Sequence, residues 1–117
     1  MIFAIDFDGT IVEHAYPKIG KMRNFADVII NKIKSNGHKI IIWTCRHTKE
    51  TLEEMIEFLK VNKIQYDTIN ENIEGIGFYP EPKVYADIYI DDRNLGGIPK
   101  WLDIYEQLKF DYPYQFS

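Results

Sequence analysis

Cysteine is nearly absent from this chain of 117 residues: Cys45 stands alone. No internal disulfide can form, and nothing ties the protein to an oxidising compartment. Long apolar runs are missing as well, and no stretch approaches membrane-spanning length. Met1 leads directly into a strand-like run, without the basic n-region and small-residue cleavage site of a secretory signal. Positive charge is in short supply, with 14 Lys and Arg against 18 Asp and Glu and a formal net charge of −4. That balance argues against a sequence-independent nucleic-acid or membrane-surface binder, which would display a basic face. There are no repeats and no low-complexity segments. The expectation is a soluble cytoplasmic protein with no membrane partner.

What is present is the composition of one folded domain over residues 1–117, 45% apolar and 15% aromatic. Ile2–Ile5, Lys39–Trp43 and Ala86–Ile90 are apolar runs, and Tyr66–Ile69 is a weaker fourth. Runs apolar on both faces suit a parallel sheet covered by helices on each side. Between them, Met22, Phe25, Ile29, Ile30 and Ile33 recur at helical steps and stop at Asn36-Gly37. Leu52, Met55, Ile56 and Leu59 form a second stripe, with Thr48 placed to cap it and Glu50, Glu53 and Glu54 near its positive end. Pro99 fits the first turn of a third helix with Leu102, Tyr105 and Leu108 on its inner face. Alternating strands and helices predict a three-layer α/β/α, Rossmann-like open parallel sheet with right-handed crossovers. The Gly/Pro-punctuated stretch Asn70–Lys83 reads as a loop.

Each strand ends in a reactive side chain: the first at Asp6, the second at Thr44, the last at Asp91-Asp92. Ligands of an open parallel sheet collect at those carboxyl ends. Were the strands neighbours, four carboxylates (Asp6, Asp8, Asp91 and Asp92) would meet one hydroxyl and Lys83. Carboxylates within roughly 10 Å repel by several kcal/mol at an effective dielectric of ~20. A divalent cation and a lysine would relieve that, and oxygen-only ligands suit Mg²⁺ better than zinc. Asp6 and Asp8, two residues apart on an extended chain, point to one side. Gly9 permits a close turn that leaves backbone N–H groups to face an anion. One of the two carboxylates can attack phosphorus while the other passes a proton to the leaving oxygen.

The motifs DFDGT after the first strand, Thr44 closing the second, a lysine before the last strand and Asp-Asp ending it resemble the four signatures of the haloacid dehalogenase superfamily, most nearly its Mg²⁺-dependent phosphatases. The resemblance runs from Ile2 to about Gly97. It implies a phosphomonoesterase in which Asp6 is the nucleophile that forms an aspartyl-phosphate. Asp8 would be the general acid/base and would offer its backbone carbonyl to the metal. Thr44 and Lys83 would bind the phosphoryl group, and Asp91 would bind Mg²⁺ with Asp92 in support as an outer or water-mediated ligand. The metal set is therefore Asp6, Asp8 and Asp91. Arg46, two residues beyond Thr44, is either a substrate contact or an exposed loop arginine.

The family's cap domains enter at two slots, here Ile11–Lys21 and Asn70–Pro82, and both are too short to fold alone. A capless site is open unless a loop or a second copy of the chain, in a homo-oligomer, covers it. His14, Tyr16, Phe78 and Tyr79 fall in the slots and are the candidates for substrate contact. The substrate is then a phosphorylated small molecule or an accessible macromolecular phosphate. Cys45 and Arg46 do not make a cysteine phosphatase, because the loop Cys-x₅-Arg would need arginine where Thr51 stands. A dehalogenase would lack the second aspartate, and phosphonate cleavage would need a cap-borne lysine for which this chain has no room. Two other readings on this fold are a non-hydrolytic phospho-acceptor, which the motif order disfavours, and a binding module.

Overall fold

The computed structural model describes residues 1–77 and 82–117. The elements run β1 (Ile2–Ile5), α1 (Ala26–Ser35), β2 (Lys39–Ile42), α2 (Lys49–Val61), β3 (Thr68–Ile69), β4 (Ile88–Ile90) and α3 (Trp101–Asp111). The four strands form one parallel sheet in the order β3-β2-β1-β4. In register, Phe3 lies beside Ile40 and Ile88, and Ile5 beside Ile42 and Ile90. Two aspartates finish the ladder where the strands begin: Asp87 accepts the Ile2 N–H at 2.7 Å, and Asp67 accepts the Ile40 N–H at 2.7 Å.

Alternation along the strands sorts the core. Phe3, Ile5, Ile40, Ile42 and Ile90 join Ile29, Ile30 and Ile33 of α1, Met55 and Leu59 of α2, and Trp101, Ile104 and Leu108 of α3 in one cluster. Ile2, Ala4 and Ile41 point the other way. That second face is covered by the irregular segment after β3, through Ile73, Ile76, Val84 and Ala86, where helices were expected on both sides. Among the described residues Gly75, Gly77 and Pro82 explain the difference, since they oppose a helix but leave neighbouring apolar side chains to seal the sheet.

Helix boundaries follow local chemistry. Thr48 caps α2, its Oγ1 accepting the Thr51 N–H at 3.2 Å. α1 stops as expected, with the Asn36 side chain donating to the Lys32 carbonyl and Gly37 at φ +90°. It begins later than the Met22–Ile33 periodicity suggested. Phe25 adopts φ +67° and is exposed, and Met22 lies in a bridge with Val12. In α2 the buried face runs through Thr51, Met55 and Leu59, and Ile56 is exposed. In α3 the inner face includes Trp101 and Ile104, Leu102 is exposed, and Pro99, expected in the first turn, precedes the N-cap Lys100. Among the described residues, neither cap slot carries a helix or strand of its own, and no helix is long and apolar enough to cross a membrane.

Candidate active site

Strand order creates the site. From β1 the chain steps outward through β2 to β3, then returns to place β4 on the other side of β1. The carboxyl ends of β1 and β4 therefore flank the crevice where the direction of winding reverses, the usual ligand position of such sheets. The Asp6 N–H donates to the Ile90 carbonyl at 3.0 Å, extending the ladder by one residue and setting Asp6 beside Asp91. On the other side, the Trp43 N–H donates to the Ile5 carbonyl at 2.9 Å and brings Thr44 to the same edge.

Asp6, Asp91 and Asp92 each present a carboxylate oxygen, all within 4.8 Å of one another. Burial above all, then a hydrogen bond shared with Asp92 and the charge of Asp91, push the Asp6 carboxyl from its ordinary 3.8 up to about 7; the Thr10 hydroxyl pulls the other way. Three carboxylates this close fit a hard divalent cation. Asp92, expected outside the inner metal set, sits within the trio, and the Asp8 side chain does not.

Thr10, to which the sequence attached no separate role, holds this arrangement. Fully buried, it donates from Oγ1 to Asp6 Oδ2 at 3.0 Å, lies 3.4 Å from Asp92 Oδ1, and accepts the Asp92 N–H at 3.0 Å. Its carbonyl accepts from Trp101 Nε1 at 3.0 Å, anchoring the turn to α3. The threonine of DFDGT was the available signal, but its partner lies 82 positions away. Gly9 is required for two reasons. Its φ is +89°, and a Cβ there would sit 2.2 Å from Asp92 Oδ2. Its backbone does not face an anion as expected: the Gly9 N–H is spent on the Val12 carbonyl, and those of Thr10 and Ile11 on that of Phe7.

Asp8 is held by a separate partner. Arg46 Nε donates to Asp8 Oδ2 at 2.8 Å and Nη2 to Oδ1 at 2.7 Å. Expected at the substrate or in an exposed loop, Arg46 is 2% exposed, and its remaining N–H groups go to the carbonyls of Pro17, Lys18 and Thr51. Its backbone N–H donates to Thr44 Oγ1 at 3.1 Å. Thr44 is itself fixed by the Asn70 side chain, which bonds both its N–H and its carbonyl at 2.8 Å. Lys83 is exposed with its ammonium 5.1 Å from the centre of the Tyr89 ring.

An open cavity of about 620 Å³ joins these groups, and Asp6, Asp8, Asp91 and Asp92 line it together with His14, Tyr16, His47 and Arg93. Thr44 and Lys83 are not among the described residues that line it. Phe78 and Tyr79 lie outside the described residues.

Fold and site together define a Rossmann-like α/β protein with a carboxylate centre at the switch between β1 and β4. The family model of the haloacid dehalogenase-like hydrolases matches residues 3–107, and the chain belongs to that family. A solved structure of a conserved protein from Bacteroides thetaiotaomicron is similar, with a TM-score of 0.85 and 41% identity over 95% of this chain and 91% of that one. No curated protein sequence matches the chain.

Proposed function

We propose that this hydrolase cleaves phosphomonoesters through an aspartyl-phosphate on Asp6, with Mg²⁺ held by Asp6, Asp91 and Asp92. The observation that carries the reading is the unequal treatment of two neighbouring carboxylates in one cavity. Asp6 shares its surroundings with Asp91, Asp92 and Thr10, whereas both oxygens of Asp8 are taken by Arg46. When bound, the cation would screen the repulsion between a phosphate dianion and the Asp6 carboxylate and offset charge on the transferring oxygens.

An Asp6 oxygen attacks phosphorus, the bond from phosphorus to the ester oxygen breaks, and Asp8 delivers a proton to the departing oxygen. Water then attacks phosphorus, losing its proton to Asp8, and the bond from phosphorus to Asp6 breaks to release inorganic phosphate. A carboxylate has about four lone-pair positions, so Asp8 can carry a proton while both oxygens stay bonded to Arg46. His14, Tyr16, His47 and Arg93 are the groups placed to meet the remainder of a substrate, and the open cavity suits a small molecule or a macromolecular phosphate.

The test is hydrolysis of p-nitrophenyl phosphate with and without Mg²⁺. Activity should vanish with EDTA and in Asp6→Asn, and acid quenching during turnover should trap protein-bound phosphate that neutral hydroxylamine releases. Metal-independent hydrolysis that persists in Asp6→Asn would refute the reading. Stoichiometric phosphorylation without release of phosphate would identify a phospho-acceptor instead.

A further inference from the structure

We infer that Arg46 is a positioning residue for the proton-transfer group, fixing the Asp8 carboxylate and the wall of the site beside it as one unit. The inference rests on the proposed role of Asp8 and goes beyond it. Arginine carries five N–H donors in a rigid fork. Here all five are engaged: Nε and one Nη2 hydrogen on Asp8, the other Nη2 hydrogen on the Lys18 carbonyl at 3.2 Å, and Nη1 on the carbonyls of Pro17 at 3.3 Å and Thr51 at 3.1 Å. The guanidinium carbon also lies 5.3 Å from the Phe7 ring and 5.2 Å from the Tyr16 ring. One side chain thus joins the turn after β1, the Tyr16–Lys18 stretch of the first slot and the first turn of α2.

Saturation of the donors sets what this arginine does. It has no N–H left for a phosphoryl oxygen, so the cation is spent on orientation. A two-point bond fixes the plane of the Asp8 carboxylate, which a single ammonium could not do. Proton transfer demands that orientation, because donor and acceptor must meet at hydrogen-bond distance along a lone pair. Asp6, whose Oδ2 lies 3.0 Å from the Thr10 hydroxyl, has no such cationic clamp.

Leaving-group dependence separates this role from simple scaffolding. Esters of poor leaving groups need the proton that Asp8 delivers, whereas p-nitrophenol departs without it. Rates for p-nitrophenyl, phenyl and alkyl phosphates are compared in the wild type, Asp8→Asn, Arg46→Lys and the double variant, each with Mg²⁺. In Arg46→Lys, kcat/KM, which reports the step that expels the leaving group and not the later hydrolysis common to all three esters, should fall about 10²-fold on phenyl and alkyl esters and by less than about tenfold on the p-nitrophenyl ester. The double variant should be no slower than Asp8→Asn. An equal loss on all three esters in Arg46→Lys, with Asp8→Asn steepening the dependence, would overturn the positioning role alone. An unchanged dependence in Asp8→Asn would overturn the role of Asp8 on which it rests.

A measurement on the wild type guards against variants that do not fold. Arg46 is one of three arginines, and its enclosed Nε–H should give a ¹⁵N-coupled resonance that exchanges slowly with water. Rapid exchange of all three Nε–H groups would overturn the inference.

Discussion

Replacing Asp6, the proposed nucleophile, should stabilise the cation-free protein, by an amount that depends on pH. Asp6→Asn keeps the volume of the side chain and can still donate to Asp92 and accept from Thr10, but removes a carboxyl whose ionisation the fold opposes. Its pKa rises from 3.8 to about 7 on folding. The folded state therefore binds a proton more tightly than the unfolded chain. The associated stability is complete below about pH 4, declines as pH rises towards 7, and is constant above. About three units at 1.36 kcal/mol each would be ~4 kcal/mol; Asp6 is only partly buried, and screening by solvent reduces this to about 2 kcal/mol. For a chain of this size that corresponds to a rise in Tm of roughly 6–10 °C for Asp6→Asn over the wild type at pH 8. Near pH 4 the two should melt together. Melting followed by circular dichroism in EDTA from pH 4 to 8 measures the difference, and other titrating groups cancel because both proteins carry them. Excess Mg²⁺ should raise the wild-type Tm and narrow the gap, since a ligand of the folded state stabilises it. A gap that is the same at pH 4 and pH 8, or a variant less stable than the wild type at pH 8, would refute the reasoning.

At the other end of the sheet the sign reverses. Burial alone would raise the Asp67 carboxyl, but the Ile40 N–H and Lys34, whose Nζ lies 2.9 Å away, outweigh it and lower its pKa. Its stabilisation is present above about pH 4 and is lost on further acidification. Asp67→Ala should cost about 1–3 kcal/mol in urea denaturation at pH 7 and progressively less below pH 4, and an equal cost at pH 7 and pH 2 would contradict this. Gly20→Ala would place a Cβ 2.0 Å from the Glu13 carbonyl oxygen, so the backbone of the first slot must move. The expected result is a loss of about 1–3 kcal/mol in stability and a raised KM, because the same slot carries His14 and Tyr16 at the cavity; unchanged melting and kinetics would count against that packing.

Local grammar determined much of this protein before any contact was known. Apolar runs ending in Asp6, Thr44 and Asp91-Asp92 announced strands whose tips carry chemistry. Thr48 and Asn36-Gly37 marked helix ends, because caps act through backbone groups a few residues away and leave their trace in the sequence. The family was legible for the same reason: its signatures follow strands, and strands declare themselves by composition. Tertiary structure decided the rest. Tyr105 lay on the inner face of α3 as expected while Leu102 did not, because burial depends on where α3 meets the sheet and α1. The distinction between Asp6 and Asp8 came from distant partners: Asp92, 82 positions from the Thr10 that links it to Asp6, and Arg46, 38 positions from the Asp8 it clamps. Lys83 matched a motif by order along the chain, yet its ammonium lies over the Tyr89 ring. Periodicity records which way a side chain leaves its own strand or helix; which charge it then meets depends on strand order, and parallel neighbours are joined only through long crossovers.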